Sequence, residues 1–197
     1  VTLYRYRDNF KIPGSKVDKL VEALSRLELL GGGITRLGCK LSQFLDQQNR
    51  DLQLPAYLAR IRTGNEESFS FLQDDDARAR FYVENEINDV YEESFIRQIV
   101  NNGTTINQRI SLHEIYEAPE MSKVLNEIRE TGLDITQWSR TKEPRYKLQE
   151  SRGSKDKEMT IELHSILELT PKIRELGRRG LTIQRYKGLG EMNSKQL

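Results

Sequence analysis

One short pattern recurs in this chain at a fixed offset. Pro55-Ala56-Tyr57 returns as Pro144-Arg145-Tyr146, 89 positions later, and the same shift carries Gly64 to Gly153. In the first copy, Pro55 to Ile61 has strand character, Thr63-Gly64-Asn65 is turn chemistry and Ser68 to Leu72 returns as the partner strand. Helical signals flank both copies. Val17, Leu20, Val21, Leu24 and Leu27 share one face of a helix over Ser15 to Leu30, with Ser15 as N-cap and Gly31-Gly32-Gly33 as the stop. Met121, Val124, Leu125 and Ile128 mark its counterpart. A short segment then precedes each hairpin, Ser42-Gln43-Phe44 in an amphipathic turn over Leu41 to Leu45 and Thr136-Gln137-Trp138 in the second copy. Asp74 caps the helix after the first hairpin, and a helix from Ser165 towards Arg179 follows the second. The pattern predicts an α+β protein with two similar helix, turn, β-hairpin, helix units.

Two stretches are less regular. Ile87, Val90, Tyr91 and Phe95 have helical spacing and predict a further helix, stopped at Asn101-Asn102-Gly103. In the last helix, Ser165 as N-cap with Glu168 would place Pro171 where it kinks the second turn, whereas Thr170 as N-cap would place it at the favoured first position. The spacing leaves both open.

Composition narrows the class of protein. No apolar run approaches the roughly 20 residues needed to span a bilayer, so no membrane partner is expected. The single cysteine, Cys39, fits a reducing cytoplasm, and the absence of a starting Met reads as an internal segment of a longer protein. Charge is uneven. From Lys172 to Leu197 there are seven Lys or Arg against two acids, so within a formal net charge of +1 the preceding residues carry −4. A basic end on a mildly acidic body is the footprint of a chain whose end meets nucleic acid. The negative balance of the body argues against a broad DNA-binding face, because phosphate contacts need clustered cations, and leaves room for a local patch where Arg50, Arg60 and Arg62 could lie together near the first hairpin.

The basic end also carries the sharpest motif. Leu181 to Tyr186 reads as a strand after Gly180, and Lys187-Gly188-Leu189-Gly190-Glu191-Met192-Asn193 follows. Two glycines one residue apart permit a tight turn and close backbone approach, while Arg185 and Lys187 supply charge directed at phosphate. The run Ile183-Gln184-Arg185-Tyr186-Lys187-Gly188-Leu189-Gly190-Glu191-Met192-Asn193 resembles the signature that closes the toprim domain in the B subunits of bacterial DNA gyrase and topoisomerase IV. Those families usually continue with Pro-Glu-Gln-Leu, where this chain has Ser194-Lys195-Gln196-Leu197.

The resemblance implies an ATP-dependent type II topoisomerase as the parent, cytoplasmic, introducing negative supercoils by double-strand passage. It implies ATP bound in a GHKL domain, Mg2+ held by a Glu-Gly-Asp motif and an Asp-x-Asp motif, and the gyrase A subunit as partner in a heterotetramer of two A and two B subunits. The A subunit supplies the tyrosine that attacks DNA. Lys187 and Arg185 are expected to contact DNA phosphate, with Gly188, Gly190, Glu191 and Asn193 shaping the signature loop. No catalytic residue and no metal ligand is expected in this chain, and neither Mg2+ nor ATP is expected to bind it, because Glu-Gly-Asp is absent from the sequence. Asp74-Asp75-Asp76 has Asp-x-Asp spacing but precedes Ala77-Arg78-Ala79-Arg80 and reads as a capped helix start. His113 and His164 stand in or beside strands without a partner at ligand spacing.

By position and general likeness, most of the chain resembles the domain that some gyrase B subunits carry inserted in toprim, which implies an accessory bracing and communication element, inactive alone. Residues 1–108 and 109–163 then form the first and second units of the insert. Residues 164–197 are the terminal helix and strand of a truncated toprim α/β domain. A topoisomerase IV B subunit and a free-standing interaction module with a toprim-like tail are the alternatives.

Overall fold

The computed structural model describes residues 1–88, 94–101, 103–150 and 159–179. The fold is α+β, with two four-stranded antiparallel sheets and six α-helices among these residues.

Helix α1 (Gly14–Leu30) buries Val17, Leu20, Ala23, Leu24 and Leu27, the face that the apolar spacing predicts. Its start differs from expectation. Pro13 precedes the helix at φ −70°, and the side chain of Ser15 makes no cap; the Pro13 carbonyl instead accepts from the amides of Lys16 and Val17. The preset φ of proline leads the chain into the helix without a hydroxyl acceptor. Gly31 ends α1 at φ −72°, where any residue is comfortable. Its lack of a side chain matters for another reason, since a Cβ there would lie 2.4 Å from Leu41 Cδ1. Leu41 opens α3 (Leu41–Leu45), which follows the short α2 (Gly32–Arg36).

The first sheet has the order β2-β1-β7-β8, built from β1 (Thr2–Arg5), β2 (Phe10–Ile12), β7 (Tyr146–Glu150) and β8 (Met159–Leu163). Leu3 stands opposite Ile12 on one side and Leu148 on the other, and Leu148 opposite Ile161, so one apolar row crosses the sheet. That row joins the main core with α1 and α5 (Ala118–Glu130), which contributes Met121, Val124, Leu125 and Ile128. Full burial of side chains of this size contributes about 1.5–3 kcal/mol each. Trp138 is 1% exposed at the centre of this core. Its amide donates to Asp46 Oδ1 at 2.5 Å and its carbonyl accepts from Ser165 Oγ at 2.5 Å, tying α3 and the end of the chain to one residue.

Ser165 also receives the Leu167 amide and so caps a single 3-10 turn, Ile166–Glu168. Helix α6 (Leu169–Arg179) begins only after that turn, which puts Pro171 inside its first turn. Proline is accommodated there because the first helical amides have no intrahelical acceptor.

The second sheet has the order β4-β3-β6-β5, from β3 (Tyr57–Thr63), β4 (Glu66–Leu72), β5 (Ser94–Asn101) and β6 (Thr104–Glu114). The expected β3–β4 hairpin is present, closed at Thr63↔Glu66 with Gly64 at φ +59°. The predicted helix through Phe95 is corrected: Ser94–Asn101 is the edge strand β5, paired antiparallel with β6 along its length. Asn101 therefore ends β5 instead of stopping a helix, while Val90, Tyr91 and Asn102 of that prediction lie outside the described residues. In chain order each hairpin has a helix before and after it. The two hairpins lie in separate sheets, and β6 passes through residues 108 and 109.

Helix α4 (Asp75–Glu84) lies over one face of this sheet, where Phe81, Ala77 and Tyr82 meet Tyr57, Ala59, Ile61, Ile110 and Phe95. At the end of the opposite face, Leu58, Phe69 and Phe71 join the main core, with the Phe71 ring 6.2 Å from that of Phe44 on α3. Among the described residues the remainder of that second face is open.

Candidate nucleic-acid interface

Arg185, Lys187, Gly188, Gly190, Glu191 and Asn193 all lie outside the described residues, as does the strand expected at Leu181 to Tyr186. The helix that leads towards them is held in place. On α6, Leu169, Thr170 and Leu176 are buried, and Arg174 reaches Glu28 at 3.9 Å and Ser25 Oγ at 3.4 Å on α1.

The open face of the second sheet gathers charged and polar side chains from all four of its strands. Strand alternation places Leu58, Arg60 and Arg62 on the same side of β3. Register then puts Glu67 of β4 and Arg109 of β6 on either side of Arg62, and Ile96 of β5 beside Arg109. One residue pair along, Phe69, Arg60, Ser111 and Ser94 form the next row. Arg60 Nε and Arg62 Nε both donate to Glu67 Oε1, at 2.5 and 2.8 Å. The Arg60 hydrogen bond, followed by that of Arg62, holds the Glu67 carboxyl below the usual carboxylate range. Gly38, at φ +90°, abuts this group: a Cβ there would lie 3.3 Å from Glu67 Oε2 and 3.5 Å from an Arg60 guanidinium nitrogen.

Arg60 and Arg62 thus stand together as the sequence predicts. Arg50 sits in the turn between α3 and β3 and has no place on the sheet. Arg109 was not legible as a member of the group, because its neighbours are set by β3–β6 register across more than forty residues of chain. The signal available was its alternation with Ile110 along an exposed strand.

The other polar residues that the sequence singles out serve the fold. Asp74 accepts the Ala77 amide at 2.8 Å and caps α4, as expected. Asp75 takes the Tyr57 hydroxyl at 2.6 Å and Arg78 at 3.0 Å, and its hydrogen bond is the main cause that pushes the Tyr57 phenol up to about 12. Asp74 and Asp75 are thus engaged in contacts that hold α4. Among the described residues no group of three or more His, Cys, Asp or Glu is arranged to hold a metal ion. His113 lies in β6 opposite Leu58, and His164 directly follows β8, where its Nδ1 meets the Thr141 carbonyl at 3.0 Å. Cys39 is buried, which pushes its thiol up to about 11. Among the described residues no helix is long and apolar enough to cross a membrane.

Comparison with known proteins points in one direction. The chain is 21% identical over 188 residues to the DNA gyrase B subunit of Chlamydia pneumoniae, covering 95% of this chain and 20% of that protein. It is 30% identical over 146 residues to the DNA gyrase B subunit of Campylobacter jejuni, covering 70% of this chain and 14% of the relative. Over 43 residues, 22% of this chain and 5% of the relative, it is 56% identical to the DNA gyrase B subunit of Caulobacter vibrioides. The chain is similar to the B subunit of DNA gyrase. The similarity is of low identity where it is long, and the chain spans a fifth or less of the length of these curated relatives. No protein-family model matches the chain, and no solved structure matches it.

Proposed function

We propose that this chain is an internal segment of a gyrase B subunit, in which residues 1 to about 160 are a toprim-inserted accessory domain and residues 164–197 are the end of toprim. The carrying observation is the similarity to a gyrase B subunit along 95% of the chain. The eleven-residue run Ile183 to Asn193, which resembles the closing signature of toprim, is the sharpest sequence motif in its favour.

On this reading the parent protein is an ATP-dependent type II topoisomerase that works with DNA and gyrase A in the cytoplasm and introduces negative supercoils. Mg2+ held elsewhere in the parent protein would lower the cost of charge on the scissile phosphate. This chain's own part is to bind and position. Lys187 and Arg185 donate to backbone phosphate next to the cleavage site, and the two glycines let the loop approach closely. The insert braces the enzyme and supports DNA binding and communication between domains. It performs no chemistry alone.

Lys187→Ala in the complete enzyme tests the first part. DNA cleavage is expected to fall by at least about tenfold, as for a lost charged hydrogen bond, while ATP binding stays intact. Unchanged cleavage would remove the phosphate role.

A further inference from the structure

Arg62 and Arg109 stand directly opposite each other on neighbouring strands. In a bare sheet, like charges in this position destabilise the pairing. Arg60 lies two residues from Arg62 on the same side, about 7 Å along the strand. Among the described residues Glu67 is the one carboxylate on this face; it engages Arg60 and Arg62, and Arg109 has no acidic partner. Three guanidinium groups against one carboxylate leave a local positive excess on a body whose overall balance is negative. Arg109, Asn107, Gln98 and Ser94 are exposed, and the helix of this half, α4, lies on the opposite face.

The geometry points to this open face of β4-β3-β6-β5 as a docking surface for duplex DNA, with Arg62 and Arg109 each taking a backbone phosphate. The inference deepens the reading above and rests on it. Charge complementarity selects a polyanion, and a planar guanidinium presents paired donors that match phosphate oxygens. Ile96, 61% exposed and next to Arg109 in its row, is placed against deoxyribose. An anion between Arg62 and Arg109 relieves the repulsion that the sheet otherwise carries.

The test titrates the 197-residue chain against a short labelled duplex by fluorescence anisotropy, from about 50 to 200 mM salt. Arg62→Gln with Arg109→Gln is expected to weaken binding by at least about tenfold and to flatten the log–log salt slope by about two. Arg109→Gln alone, which touches no ion pair, should flatten it by about one and keeps the test valid if the double variant misfolds. An unchanged slope in these variants overturns the proposal, and so does failure of the unaltered chain to bind at the lowest salt. Loss of binding only in Arg185→Gln with Lys187→Gln also overturns the sheet face, while leaving the gyrase reading intact. Arginine-dependent binding by the sheet alongside normal cleavage by the Lys187→Ala enzyme has the opposite meaning. Displacement of the duplex by polyglutamate at equal charge would assign the face to an acidic protein and refute DNA as its occupant.

Discussion

Replacing Asp46 with alanine should destabilise the chain, because that carboxylate ties the end of α3 to the backbone at Trp138. Asp46 follows α3, and its Oδ1 accepts the Trp138 amide at 2.5 Å, while Oδ2 accepts the Ser139 amide at 3.2 Å from 93 residues away. Trp138 is 1% exposed, so its amide has no path to water once the carboxylate is gone. A hydrogen bond to a charged group contributes about 1.5–3 kcal/mol, and a buried donor left unsatisfied costs a similar amount. Ser139 is half-buried and recovers water, so the whole loss is set at about 2–4 kcal/mol. For a chain of this size that lowers the Tm by roughly 4–15 °C. Asp46→Asn keeps an acceptor and loses only the charge, so it should fall between the parent and the alanine variant. Trp138 is the chain's only tryptophan, which makes urea unfolding followed by its emission a direct readout. A stability of Asp46→Ala within about 0.5 kcal/mol of the unaltered chain, the range of ordinary surface substitutions, would refute this role for the carboxylate.

Two further outcomes follow from single contacts. Asp74→Ala removes the acceptor for the Ala77 amide and should cost about 1 kcal/mol. Faster hydrogen exchange in the first turn of α4 alone, with β3 and β4 unchanged, is the expected signature, and unchanged exchange there contradicts the cap. At the β1–β2 turn, the Arg5 guanidinium hydrogen-bonds Asp8 and lowers its carboxyl to about 2. Because the folded value is depressed, the pairing stabilises the turn above the unfolded pKa of about 3.9 and is lost as pH falls through about 2. A carboxyl-carbon NMR titration with its midpoint in the ordinary Asp range would show that the pair does not form.

The helices and hairpins that could be read from sequence are those whose apolar residues obey one period. In α1 and α5 every third or fourth residue is buried, and β3 is bounded by a proline and a turn glycine. Strand β5 misled for a physical reason. Phe95 and Ile99 face α4's side of the sheet, while Ile96 and Val100 are 61% and 75% exposed on the other. The helical spacing is that of Ile87, Val90, Tyr91 and Phe95, of which Val90 and Tyr91 lie outside the described residues, and within β5 only an apolar residue left in water distinguishes the strand. Strands β1 and β2 carry one buried residue each, Leu3 and Ile12, too few to show a period. The site divides in the same way. Arg60 and Arg62 are neighbours in sequence and could be grouped by alternation, whereas Arg109 joins them only through register, which no local pattern encodes. The signature around Lys187 was legible as a motif because its identity lies in consecutive residues rather than in packing.

If most of this chain is an accessory insert of a supercoiling enzyme, as proposed, its removal should separate supercoiling from folding. The most direct test is supercoiling by the complete gyrase from which residues 1 to about 160 have been excised, alongside the folding of the shortened protein. The expected result is a shortened protein that still folds and binds ATP but supercoils at least about tenfold more slowly, a transition-state loss of about 1.4 kcal/mol or more. Supercoiling at the parental rate would contradict it.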